Sequence, residues 1–500
     1  MLRRTTAASF AVVPMSLSSS ASSKRSGGSL VMDTGKSRHL DDVKSDLEDA
    51  DFTHEFVEEI VRGIGSNSRK RRLKNTVRAR RLLSVEANPP IQEFLKAGIL
   101  RPLIPHVQQR QDSTLQLEAT WALTNLASGT LNHTAAVVDG GAVAVLVEAL
   151  SGGDERVAEQ AAWALGNIVG EQQFRNLVVS MGVVAPLLAA LHSGRAFTSS
   201  YASTSSSSSS IAAPVSLVRV VTWVLANIFR HKGLVMKQQE RQSCINALKT
   251  LLGHTDSAVI LDALWATGYI AAGDDEGQQE VVAAGIVPDL VRHLGAKERQ
   301  KIIPALKATA NLLMGSDDQT DAVVAAGVLP LYRRLLVSPH HNLRKEVSWA
   351  LSNITAGNKN QIQKVIDEGF LPHLVEVIGQ NHLDVQREAV WVLTNLVNGG
   401  SLSQVEAVVR AGGAAALTSV LAVSETGTVG VAINALENIL KTPELRKEAL
   451  RQVRVAQGVQ RLEALQGYVD NTIKERATGI LDTYFQEGHT GASLSEPDGT

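Results

Sequence analysis

The sequence predicts an all-α fold, a right-handed superhelical solenoid of about ten repeats, and three observations predict it. Six tryptophans keep a beat of 42 residues, eight glycines keep the same beat, and 500 residues exceed what one ordinary hydrophobic core holds. The tryptophans are Trp121, Trp163, Trp223, Trp265, Trp349 and Trp391. Steps of 42 separate Trp121 from Trp163, Trp223 from Trp265 and Trp349 from Trp391, while two periods separate Trp265 from Trp349, with Lys307 at the midpoint. The one irregular step, 60 residues from Trp163 to Trp223, contains the run Ser205 to Ser210. Removing about 18 residues there restores the period, so 194–215 reads as a disordered surface insertion.

Taken along the chain, the elements fall into order. From Met1 to Met32 there is no acid, and Arg3, Arg4, Lys24 and Arg25 lie among many serines. That composition fits an organelle transit peptide and equally a disordered tail; residues 1–51 are read as the tail. Residues 52–485 carry the repeats, and 486–500 form a second tail. Gly98, Gly141, Gly182, Gly285, Gly327, Gly369, Gly412 and Gly458 each precede an apolar run, as in Gly285 to Val291. Glycine releases the chain from one helix into a sharp turn, and an early proline such as Pro288 suits the first turn of the next helix. Ala161, Ala162, Leu165 and Ile168 give the i, i+3, i+4, i+7 spacing of an amphipathic helix around Trp163. Each unit thus reads as a short helix, a glycine turn, a second helix, and a third helix carrying the tryptophan. A period near 42 is the length of armadillo or HEAT units.

Composition excludes several function classes. A formal charge of −1 gives no support to direct nucleic-acid binding. Cys244 is the single cysteine, so no intrachain disulfide forms and a reducing compartment is expected. No apolar run is long enough to span a bilayer, so no membrane insertion is expected. Gly35-Lys36-Ser37 resembles the end of a phosphate loop, but the required earlier glycine is Leu30. His340-His341 lacks further ligands at metal spacing. Asn353 opens a glycosylation sequon, but on a predicted helix in a chain without secretory signs. No catalytic motif, cofactor or metal is read from the chain, and an enzyme is not expected.

Four residues after most tryptophans stands an asparagine: Asn125, Asn167, Asn227, Asn353 and Asn395. Tyr269 takes that place after Trp265, Asn311 follows Lys307, and a later unit keeps Asn438 with Asn434 in the tryptophan position. An i, i+4 pair lies on one helix face, so stacked repeats set a ladder of indoles beside a ladder of carboxamides. One such pair alone is ordinary core; repeated across an array, with a lysine replacing one indole, it reads as a solvent-facing recognition surface. Carboxamides serve the unpaired N–H and C=O groups of an extended peptide, and indole faces receive the stems of Lys and Arg. Acids near the ladder then meet the charged heads: Glu171, Asp262, Glu346 and Glu388.

These residues resemble importin alpha, the adaptor family that recognises nuclear localisation signals. The resemblance covers roughly Phe52 to Phe485. It is carried by Trp121 to Gly129, Trp163 to Asn167, Asn353 to Ile362, Leu436 to Leu440 and Asn88-Pro89-Pro90-Ile91, with Tyr269 and Lys307 matching the family's own departures. It implies an armadillo solenoid with two sites for Lys/Arg-rich peptides. The major site would use Trp121, Asn125, Trp163, Asn167, Trp223 and Asn227. Gly129, Thr134 and Glu171 would form its key lysine pocket, flanked by Gln160 and Asp262. Glu171 stands where the family usually has Asp. The minor site would use Asn311, Trp349, Asn353, Trp391 and Asn395, with Thr320, Glu346 and Glu388 holding a basic side chain. A signal spanning both sites would gain through effective concentration.

The resemblance also implies nuclear import, residence in cytoplasm and nucleus, and an export receptor bound through the last repeat, Gly458 to Phe485. Importin beta is in doubt as a partner, because the dense basic arm that recruits it is not evident before Phe52. The basic clusters Arg69 to Arg72 and Arg78, Arg80, Arg81 fall inside the first repeat, as a solvated helix face or an internal mimic of the ligand. The alternative function is an armadillo scaffold for protein–protein interaction without an import role. In its catenin-like form, binding acidic partners, it would need a basic surface where this ladder carries acids.

Overall fold

The computed structural model describes residues 54–152, 154–192, 211–380 and 382–485. The N-terminal segment 1–51, the Ser-rich run of the insertion and the tail 486–500 lie outside the described residues. Among the described residues there are helices and no strands. They divide into two compact units, 54–289 and 290–485.

The expected three-helix repeat recurs in both units, and the local sequence explains its boundaries. In the first unit, Thr130 and His133 form a capping box that opens the helix Leu131–Asp139; Gly141 then turns the chain into Ala142–Ala149, and the Asp154 carboxylate caps Glu155–Val169. In the second unit, Ser316, Asn358 and Ser401 open the first helix of successive repeats, with Gln319, Gln361 and Gln404 closing each capping box. Two of these glutamines also reach back one repeat. The Gln361 amide donates to the Asp317 carbonyl at 3.0 Å, and that of Gln404 to the Lys359 carbonyl at 2.9 Å. A cap residue therefore doubles as a tie between repeats.

Seven of the eight rhythmic glycines, Gly98 to Gly412, hold a positive φ between 69° and 91°. Gly458 departs from the expectation. It begins the helix Gly458–Leu465, and the left-handed position falls on Gln457 at φ 56°. The reason Gly458 is glycine is room: a Cβ there would lie 2.3 Å from Val453 Cγ1 and 2.7 Å from the Val453 carbonyl oxygen. Gly458 matches the close-packed Gly413, and Gln457 matches Gly412.

The third helices form the spine of each unit. In the first, Arg69–Leu83, Ser113–Ala127, Glu155–Val169, Val215–Phe229 and Ser257–Ala271 pack each on the next. In the second, Arg299–Leu312, His341–Thr355, Leu383–Gly399, Thr426–Lys441 and Asn471–Tyr484 do the same. Their apolar positions make the core: Leu123, Leu165, Leu225 and Leu264 in one unit, and Leu351, Leu393 and Leu436 in the other, are fully buried. No repeat closes a core alone, so the tryptophan-bearing helices stand side by side, one repeat apart.

Candidate functional site

In the first unit the spine carries Trp121 and Trp163 on consecutive third helices and Trp265 two helices further on, each half-buried. Trp223 corrects the expectation of a solvent-facing ladder: it is only 3% exposed. Its ring lies over Gly166, where an added Cβ would sit 2.1 Å from Trp223 Cζ3. The residue before the ladder asparagine is Thr124, Ala226, Ala310, Ser352 or Thr394 in other repeats; Gly166 leaves a hole that the next indole fills. In the second unit Trp349 and Trp391 are half-buried. Tyr269 lies against Trp265 with ring centroids 5.8 Å apart, and burial pushes its hydroxyl pKa up, keeping it neutral.

The carboxamides do not project into open solvent either. Asn125, Asn167, Asn227, Asn353 and Asn395 are all at most 4% exposed. Four of them tie their helix to the preceding repeat through Nδ2. Asn125 donates to Ser84 Oγ at 2.8 Å, Asn167 to the Thr124 carbonyl at 3.3 Å, Asn227 to the Gly166 carbonyl at 3.1 Å and Asn395 to the Ser352 carbonyl at 2.9 Å. Buried asparagine is costly without a partner, and the preceding helix supplies one. For Asn125 and Asn395 this bond sets the plane of the amide beside the half-exposed indole. Asn311 is also half-buried.

The expected acids meet different fates. Asp262 is 8% exposed. Glu346 pairs with Lys307 at 3.2 Å, so the lysine that interrupts the ladder takes the acid expected for a ligand. Glu388 is 1% exposed and accepts from Arg387 at 3.2 Å, a correction to its expected place at the margin. Glu171 is half-buried at the head of Gln172–Ser180 and lines an open cavity of about 550 Å³ with Leu131, Gln172, Arg175 and Lys232. Of its expected pocket partners, Thr134 is fully buried and donates to the Ala127 carbonyl at 3.1 Å, so it is a wall of the pocket. Gly129 faces the His133 ring, 2.3 Å from where a Cβ would stand.

Five candidate residues carry a buried polar atom with no hydrogen-bond partner: Trp121 Nε1, Gln160 Oε1, Trp163 Nε1, Thr320 Oγ1 and Asn353 Nδ2. Such atoms cost about 1–3 kcal/mol each, and folded proteins keep few of them. Sequence reasoning placed Arg80 in a basic cluster, a solvated helix face or an internal mimic of the ligand, and passed over Glu118. Arg80 Cζ lies 4.4 Å from the Trp121 ring centroid, and its guanidinium grips Glu118 with two bonds of 2.7 and 3.2 Å. The signal for Glu118 was present in the numbering: it stands three residues before Trp121, as Asp262 does before Trp265.

The repeats match known proteins. The armadillo/beta-catenin-like repeat family matches residues 87–128, 132–170, 316–356 and 358–397. Importin subunit alpha-6 of Arabidopsis thaliana is 38% identical over 241 residues, 47% of this chain and 40% of that protein. Importin subunit alpha-2 of the same plant is 36% identical over 48% of this chain and 42% of its own length. The chain thus matches about two fifths of the length of these relatives. The crystal structure of an engineered protein, 28% identical, superposes with a TM-score of 0.72 over 85% of this chain and 98% of its own.

Proposed function

From a chain built of armadillo repeats and similar over half its length to importin subunits alpha, we propose a receptor for extended Lys/Arg-rich peptides of the nuclear localisation type. In this reading the protein is an import adaptor moving between cytoplasm and nucleus. One observation carries it: half-exposed indoles one repeat apart, each with a carboxamide four residues on. The indoles offer flat faces to aliphatic stems and cationic heads, worth about 0.5–2 kcal/mol per contact. Such spacing selects an extended ligand, whose alternate side chains reach successive slots. Trp163 is the central slot, and Glu171 supplies the negative charge beside it. Trp349, Trp391 and Asn395 form the equivalent surface of the second unit, where Lys307 has already taken Glu346.

The test is fluorescence anisotropy with a labelled octapeptide of lysine and arginine, titrated with the wild type and with Trp163→Ala. Trp163→Ala should weaken binding about tenfold or more, and raising the salt should weaken both. Equal affinity for the two proteins would remove the ladder from the function.

A further inference from the structure

We propose that Arg80 is a built-in occupant of the first ladder slot, so that this end of the face gains nothing from a basic peptide residue over a neutral one. The inference rests on the peptide-receptor reading and adds a specificity rule to it. Arg80 stands in the first third helix at the place that Thr124 and Gly166 take in the next two: its carbonyl lies 3.5 Å from Asn125 Nδ2, as theirs accept from Asn167 and Asn227. Its guanidinium lies over the Trp121 ring at 4.4 Å. Its Nε and Nη2 donate to Glu118 at 2.7 and 3.2 Å, and the two side chains are 15% and 14% exposed. Glu118 is three residues before Trp121, as Asp262 and Glu346 are before their tryptophans.

Everything the reading assigns to a ligand's cationic side chain is therefore met here by the chain itself: an indole face, a carboxylate and a fixed carboxamide alongside. An ion pair of the same kind occurs in the second unit. Lys307 stands one repeat before Trp349 and pairs with Glu346, three residues before that tryptophan. Among the described residues no cation is seated on Trp163, the next slot along. A ligand lysine would have to displace an arginine that is tethered to the site and held by a bidentate bond, whereas an uncharged residue need not. A merely structural Arg80 would bridge the first two repeats and leave peptide preference untouched.

Four octapeptides with one lysine core, extended by Gly or by Arg at either end, separate these cases. Wild type should bind the Gly- and Arg-extended forms within about twofold, and Arg80→Ala should favour Arg over Gly at one end by about five- to tenfold. Glu118→Gln should move the same way by less, and it stands in should Arg80→Ala fail to fold. A variant that folds and still ignores the extension overturns the proposal. Acrylamide quenching of Trp121, taken as the difference between each protein and its Trp121→Phe counterpart, reads the seat directly. Quenching should rise when Arg80 is removed, and unchanged quenching also overturns the proposal. If no peptide binds wild type, the receptor reading fails, and quenching alone decides whether Arg80 covers the ring.

Discussion

Trp163 and Trp223 hold the same place in neighbouring repeats but have opposite jobs, and the difference lies in the helix each one leans on. Trp223 meets Gly166 and sinks to 3% exposure; Trp163 stays half-buried. Trp223→Ala should cost about 3–5 kcal/mol, the range for emptying a core aromatic, whereas Trp163→Ala should cost less than half of that. Gly166→Ala should cost about 1–3 kcal/mol, because its methyl would enter the space of the Trp223 ring. Urea unfolding of the three variants checks the order. The beat of six tryptophans was legible in the sequence, but which of them is core was not. That depends on the size of a residue some 57 positions earlier, which no local pattern reports. Asn125 and Asn395 teach the same lesson: their spacing was legible, their bond to the previous repeat was not.

Helices here begin on sequence signals that reading along the chain can find, and the acids at those starts do more than cap. Asp256 caps Ser257–Ala271 by accepting from the Ala258 and Val259 amides, and it also holds Arg219 of the preceding third helix at 2.6 Å. Arg219 first, and then the capped amides, hold the Asp256 carboxyl at about 2, below its ordinary 3.8. A carboxyl depressed in the folded state stabilises fully above its unfolded value and loses that contribution as pH falls through its folded one. Asp256→Ala should therefore cost about 1–2 kcal/mol at neutral pH. The gap to wild type should close as pH falls from 4 towards 2, followed by thermal unfolding across that range. Asp112 repeats the design with Arg69 at 2.7 Å, and its carboxyl is likewise lowered by that arginine. The cap residues were legible; their arginine partners were not, since those stand 37 and 43 positions away on another repeat. The shift from Gly458 to Gln457 at the last turn was hidden for a related reason, because one glycine can answer either a φ or a close contact.

Within each unit, the ties between one repeat and the next are short in space and about one period long in sequence. Asn395 to Ser352, Gln361 to Asp317 and Gln404 to Lys359 each join a repeat only to the one before it. That period is why the architecture could be read from spacing alone, while the two-unit division left no mark in it. In such an array stability is a sum of repeats and nearest-neighbour contacts, so damage stays near its source. Asn395→Ala removes one of three donors to the buried Ser352 carbonyl, which keeps the Ala356 amide and the Thr355 hydroxyl, and should cost about 0.5–1.5 kcal/mol locally. Hydrogen exchange followed by mass spectrometry should then show faster exchange in His341–Thr355 and Leu383–Gly399. Exchange in Ser113–Ala127 and Glu155–Val169 should stay at the wild-type rate, and so should peptide affinity at Trp163, because the bond that Asn395 makes joins two neighbouring repeats of its own unit. Faster exchange throughout both units would mean that the chain unfolds as one cooperative body, and the nearest-neighbour account would have to be given up.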